Sequence, residues 1–199
     1  MIILRFILSL LFVILVQLFA LIIFLISFPA ALFYKWGRVF IYFLVKWVCR
    51  LIFLLTFIRV RVEGAEKIPR DGKLIFVSNY PAIMDPLYII AAFPKRVRIL
   101  AEEGMFRIPL LGRIMKTLGC IVIPKSGSDS FKQANAIISA LRKNEPVWIF
   151  AEKPANRDAA LKMCTSFGAA VVPVEIQGSD AVLSKKNMLL NPGQIKLIV

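Results

Sequence analysis

From Phe6 to Phe33 the chain reads "FILSLLFVILVQLFALIIFLISFPAALF", 28 residues without a charge. As a helix rising ~1.5 Å per residue, the run is about 42 Å long, more than the ~30 Å hydrocarbon core of a bilayer requires. It is too long for the core of a signal peptide, and Ser27–Phe28–Pro29 is a poor cleavage site. The run therefore predicts a retained membrane helix, kinked or ending near Pro29.

A second apolar stretch, Val39–Ile58, is interrupted by Lys46 and Arg50. Four residues apart, the two cations share one helix face, with Trp36 and Trp47 nearby. A basic stripe on an apolar helix with interfacial tryptophans predicts a helix lying in the headgroup layer, although a second crossing with snorkelling cations fits as well. Together these stretches predict a membrane anchor over residues 1–58.

Charge supports that division. Residues 1–59 carry Arg5, Lys35, Arg38, Lys46, Arg50 and Arg59 with no acidic group, while the remaining 140 carry 20 basic and 12 acidic residues. A net charge of +14 suits an anionic membrane surface or a phosphate-bearing substrate. It follows no nucleic-acid motif, so no nucleic-acid partner is expected. The positive cluster after the first helix predicts that the rest of the chain lies on the cytoplasmic side of the cell membrane.

No histidine occurs anywhere in the chain. That excludes a Cys–His dyad, a Ser–His–Asp triad and any His-ligated metal. Cys49, Cys120 and Cys164 have no paired spacing, so neither a zinc knuckle nor a disulfide framework is suggested. No metal is expected.

Beyond Arg59 short apolar runs alternate with helical patterns. Strands are predicted at "RVRVEG", Leu74–Val77, Val97–Ala101, "CIVI", Val147–Phe150, "AVVPVEI" and "QIKLIV". Helices are predicted from Pro86 to about Phe93, over "IPLLGRIMKTLG", over Ser130–Lys143 and over Arg157–Phe167. This alternation predicts an α/β domain over residues 59–199, with a mixed, mostly parallel sheet flanked by helices. Ligands of such sheets bind at the carboxyl ends of the strands. The loops there carry Asn79–Asp85, Glu102 and Glu103, Lys125, and Glu152, Lys153 and Arg157.

Four ordered segments, "VEGAEKIPRDGKLIFVSNYPAIMDP", "AEEGMFRIPLLGRIMKTLGCIVIPK", "VWIFAEKPANR" and "AAVVPVEIQGSD", resemble the blocks of the glycerolipid acyltransferases. The likeness runs from about Trp36 to Val199 and is greatest to bacterial 1-acylglycerol-3-phosphate (lysophosphatidate) acyltransferases. That family also carries an N-terminal two-helix membrane-embedding element, to which the anchor here is similar. The resemblance implies transfer of an acyl group from acyl-CoA or acyl carrier protein, as co-substrate and not as a bound cofactor, to the free hydroxyl of a lysophospholipid. The product would be phosphatidic acid, with membrane lipids as partners.

The family's first block is Asn-His-x-Ser-x-x-Asp, its histidine the general base and its aspartate the orienter. Here Asn79 and Asp85 stand in place, Tyr80 occupies the base position and Ala82 the serine position. The third block, Phe-Pro-Glu-Gly-Thr-Arg-Ser in the family, retains Phe150 and Glu152, with Lys153 following and Arg157 displaced by two. Lys125 replaces the usual arginine closing the second block, keeping charge and losing the planar fork. The resemblance thus implies substrate binding by Asn79, Lys125, Glu152, Lys153 and Arg157.

A phenol of pKa ≈ 10 is ionised in roughly one molecule per thousand at pH 7, a cost of ~4 kcal/mol for a phenolate base. General-base catalysis is worth about 10²–10⁴-fold, or ~3–5.5 kcal/mol, so Tyr80 gains little over no base. The expectation is a catalytically impaired family member that retains lysophospholipid or acyl-chain binding. The alternatives are an active acyltransferase using a non-histidine route, and a membrane scaffold.

Overall fold

The computed structural model describes residues 2–30, 36–79, 84–108, 111–123, 130–151, 168–182 and 190–199. Helices α1 (Ile2–Ala30) and α2 (Trp36–Leu55) come first. They are followed by β1 (Ile58–Glu63), β2 (Leu74–Ser78), α3 (Asp85–Ala92), β3 (Arg98–Glu102) and α4 (Glu103–Phe106). The chain continues through α5 (Leu111–Leu118), β4 (Ile121–Ile123), α6 (Ser130–Arg142) and β5 (Val147–Phe150). It closes with β6 (Ala170–Gln177), α7 (Ser179–Val182) and β7 (Gly193–Ile198). The seven strands predicted from the sequence are all present, within a residue or two of their expected ends. The short helices α4 and α7 were not foreseen. The helix expected over Arg157–Phe167 lies outside the described residues.

The sheet has seven strands in the order β1-β7-β6-β2-β5-β3-β4. Pairings β1–β7, β6–β2, β2–β5, β5–β3 and β3–β4 are parallel. Gly178, just after β6, lies against the Gln194 carbonyl at the start of β7, so the chain doubles back there and the sheet is mixed. The α/β class, with a mostly parallel mixed sheet that follows two N-terminal helices in the chain, is as the sequence predicts.

The described residues group into two compact units. One comprises Met1–Glu63, Pro81–Phe93 and Ile176–Ile198; the other comprises Gly64–Tyr80, Pro94–Glu175 and Val199.

In the first unit, β1 pairs along its whole length with β7, from Ile58 beside Gly193 to Glu63 beside Ile198. Lys196 and Glu63 bridge across that pair at 2.9 Å. Two residues, Thr56 and Phe57, connect α2 to β1, and Phe57 sits in the left-handed region at φ 57°. On α2, Ile41, Val45, Cys49, Ile52 and Phe53 are buried, whereas Phe40, Phe43, Trp47, Leu51 and Leu54 form an exposed apolar stripe. Helix α1 likewise exposes Phe6, Leu10, Val13 and Leu18.

Helix α1 ends at Ala30, one residue past Pro29. No helix among the described residues is long and apolar enough to cross a membrane.

The second unit is built on β6-β2-β5-β3-β4, with β2 central and buried at every position. Alternation along the strands divides its side chains between the faces. Ile75, Val77, Leu100, Ile121, Val147 and Ile149 form one buried cluster with Ile137, Ala140 and Leu141 of α6. On the other face Phe76 and Trp148 stack, ring centroids 5.3 Å apart. Helix α5 approaches α4 so closely that a Cβ at Gly112 would fall on the Phe106 carbonyl oxygen. That contact is the physical content of the "IPLLG" block: its glycine lets one backbone touch another.

Candidate functional site

Parallel pairing gathers the carboxyl ends of four strands along one edge of the second unit. Ser78, the last residue of β2, stands in register with Phe150 of β5 and Val174 of β6. Glu102 of β3 is in register with Ile123 of β4. The Ala151 amide donates to the Ser78 carbonyl at 2.8 Å, so the exits from β2 and β5 are tied together. Beneath them the Trp148 indole N–H donates to the Ser78 hydroxyl at 2.8 Å, in the interior.

Asn79 follows Ser78 and is exposed. Tyr80 is the next residue in the chain, Glu152 follows Ala151, and Lys125 stands two residues beyond Ile123. Tyr80, Lys125, Glu152, Lys153 and Arg157 lie outside the described residues, and of the sequence-predicted site only Asn79 and Asp85 are described. Glu103 is engaged by Arg107 one turn on, at 2.5 Å, so that carboxylate serves α4.

Asp85 belongs to the first unit and is 0% exposed in the first turn of α3, followed by Pro86. A carboxylate there is favoured by the positive end of the helix dipole, and proline is suited to the first turn because its missing N–H is not needed. One turn on, Tyr88 is fully buried, its ring 5.1 Å from that of Phe53 on α2. Burial, then the negative charge of Asp85, pushes the Tyr88 phenol above its ordinary value.

The other end of α3 is held by α2. Lys46 Nζ donates to the Phe93 carbonyl at 2.8 Å and Arg50 Nε to the Ala91 carbonyl at 2.7 Å. The guanidinium also lies 5.3 Å from the centre of the Trp47 ring. Both cations of the basic stripe thus also bind carbonyls within the protein. The last carbonyls of α3 have no helical partner and carry partial negative charge, and they draw both cations onto protein. Their four-residue spacing was a visible signal; the carbonyls they meet are not encoded locally. Tyr88 and the Ser78–Trp148 bond were missed because each reads as ordinary core.

Among the described residues no three metal-ligating side chains come together.

Residues 59–184 match the family model described as Acyltransferase. The chain belongs to the acyltransferase family. Among curated proteins this family member is 26% identical, over 84% of its own length and 50% of the relative's, to the chloroplastic 1-acyl-sn-glycerol-3-phosphate acyltransferase LPAT1 of Arabidopsis thaliana. It is 28% identical, over 70% of its length and 59% of the relative's, to a 1-acyl-sn-glycerol-3-phosphate acyltransferase of Borreliella burgdorferi. The chain thus spans between half and three fifths of these relatives. Its fold matches the crystal structure of the 1-acyl-sn-glycerophosphate acyltransferase PlsC of Thermotoga maritima, with a TM-score of 0.82. That match has 21% identity and covers 98% of this chain and 83% of the other.

Proposed function

We propose that this acyltransferase-family chain is a membrane-embedded, lysophosphatidate acyltransferase-like protein with impaired acyl transfer and retained lysophospholipid binding. The carrying observation is the end of β2: the block Asn79-Tyr80-x-Ala82-x-x-Asp85 begins there, in a chain without histidine. In this reading Tyr80 stands at the base position and Asp85 is the residue that would orient a base. Asn79, Lys125, Glu152, Lys153 and Arg157 hold the glycerol-phosphate. The acyl donor is acyl-CoA or acyl carrier protein. Residues 1–58 embed in the membrane, supported by the apolar side chains that α1 and α2 expose. Residues 59–199 form the lipid-binding domain on the cytoplasmic side. The names of the relatives support the substrate class.

The test is purified full chain with lysophosphatidate and either donor. The expected result is no turnover above background, together with thermal stabilisation by lysophosphatidate, worth about 2.7 kcal/mol at a hundredfold excess over Kd. Turnover that Asp85→Ala abolishes would instead establish an active enzyme. Absence of both turnover and stabilisation would leave a scaffold. Restoring Tyr80→His with Ala82→Ser is expected to recover little activity, because the third block is also remodelled.

A further inference from the structure

A cavity of about 360 Å³ lies within the first unit, lined by Arg50, Phe53 and Leu54 of α2, Ile58, Val60 and Val62 of β1, and the end of α3 at Ala91 and Ala92. That volume is within the range of small-molecule sites, which are ~300–1,000 Å³ and mostly apolar with few polar groups. Seven of its eight lining residues have apolar side chains and the eighth is Arg50, but the surface they present is about half polar, from the guanidinium and backbone groups. We propose that this open groove seats the phosphate of an anionic membrane phospholipid on Arg50, away from Asp85, with the acyl chains following the exposed apolar stripe of α2.

Three observations support that occupant. The Arg50 Nε donates to the Ala91 carbonyl, which fixes the plane of the group and leaves its terminal N–H donors available for a bidentate phosphate contact. Charge favours an anion despite the helix end beside it. The carboxyl end of α3 contributes about half a negative charge, whereas Lys46 and Arg50 together bring two positive charges to its carbonyls. The cavity is also continuous with lipid-compatible surface. Leu54, one of its lining residues, is 71% exposed and belongs to the apolar stripe of α2 with Trp47 and Leu51. An acyl chain leaving the groove past Leu54 follows that stripe.

The cavity is not the Asp85 locus. Asp85 opens α3 and Ala92 closes it, about 10 Å apart along the axis at ~1.5 Å per residue. The inference rests on membrane embedding and not on turnover.

Native mass spectrometry of the full chain in mild detergent, titrated with phosphatidylglycerol or phosphatidylcholine, tests it. The expected result is one phosphatidylglycerol per chain, bound at least tenfold more tightly than phosphatidylcholine. Arg50→Gln, which removes the cation, and Val62→Phe, which fills the cavity with a good strand former, should each weaken it at least tenfold. Arg107→Gln, at an exposed position just after α4, should leave it unchanged. Binding that ignores headgroup charge overturns the site. So does a folded Val62→Phe that binds as the unmodified chain does, or an Arg107→Gln that loses the lipid. Phosphatidylglycerol binding that persists without any lysophosphatidate binding would sink the functional proposal alone.

Discussion

The Trp148 indole donates to the Ser78 hydroxyl across two neighbouring parallel strands, one residue before the chain leaves the sheet at Asn79. The bond lies in the interior, where an indole N–H that loses its acceptor incurs the desolvation cost without compensation. Ser78→Ala should therefore lower stability by about 1–3 kcal/mol, seen as a reduced midpoint in urea. Trp148→Phe removes the indole donor but leaves the Ser78 hydroxyl in place, and should cost mainly the packing lost with the larger ring.

Lys46 holds the last carbonyl beyond α3. Lys46→Met keeps the apolar stem and removes the charge and the donor. A loss of about 1–2 kcal/mol is expected, given the worth of a cation at a partly buried helix end. Amide hydrogen exchange should locate the change in the last turn of α3, with the first turn around Asp85 less affected.

Gly112→Ala places a methyl group onto the Phe106 carbonyl oxygen, a backbone atom that cannot swing aside. The cost should reach the 1–3 kcal/mol of a severe overpacking, or more. Gly104→Ala is the control, since nothing lies near a Cβ there, and it should change the melting temperature little.

Alkaline pH should destabilise the fold. Burial pushes the Cys120 thiol from 9.0 up to about 12, and the Tyr88 phenol is raised above 10.0. Both groups hold their protons more tightly folded than unfolded, so the folded state binds more protons above their ordinary values. Stability is then full below about pH 9 and falls as pH rises toward the folded values. Urea titrations from pH 8 to 11 should show this decline. Cys120→Ser and Tyr88→Phe should each flatten it.

Fold class was legible because the strands are short apolar runs separated by turn residues and amphipathic helices. "LIFVS" and "VWIF" could hardly be other than buried strands. The pairing order was not legible: nothing local in "QIKLIV" says that it lies beside "IRVRVE", more than a hundred residues earlier. Of the residues that spacing places at the candidate site, only Asn79 and Asp85 lie among the described residues. What spacing could not carry was environment. Asp85 reads as a loop carboxylate and is fully buried in a helix turn. Lys46 and Arg50 read as a lipid-facing stripe and reach the end of another helix. Such contacts depend on which backbone carbonyls the fold leaves over, and those belong to another segment.

The pairing of β1 with β7 also sets an order of events in biosynthesis. Glu63 and Gly193, at the ends of those strands, are separated by roughly 130 residues, about 7–26 s of translation at ~5–20 residues per second. For most of that interval the apolar helices are already outside the ribosome, while β1 lacks the neighbour that will cover its open edge. A nascent chain in this state exposes both greasy helices and an unpaired strand. Early capture of the helices by a bilayer would tether β1 close to where β7 must later arrive, so membrane delivery during synthesis would shorten that final search and shield the chain from self-association.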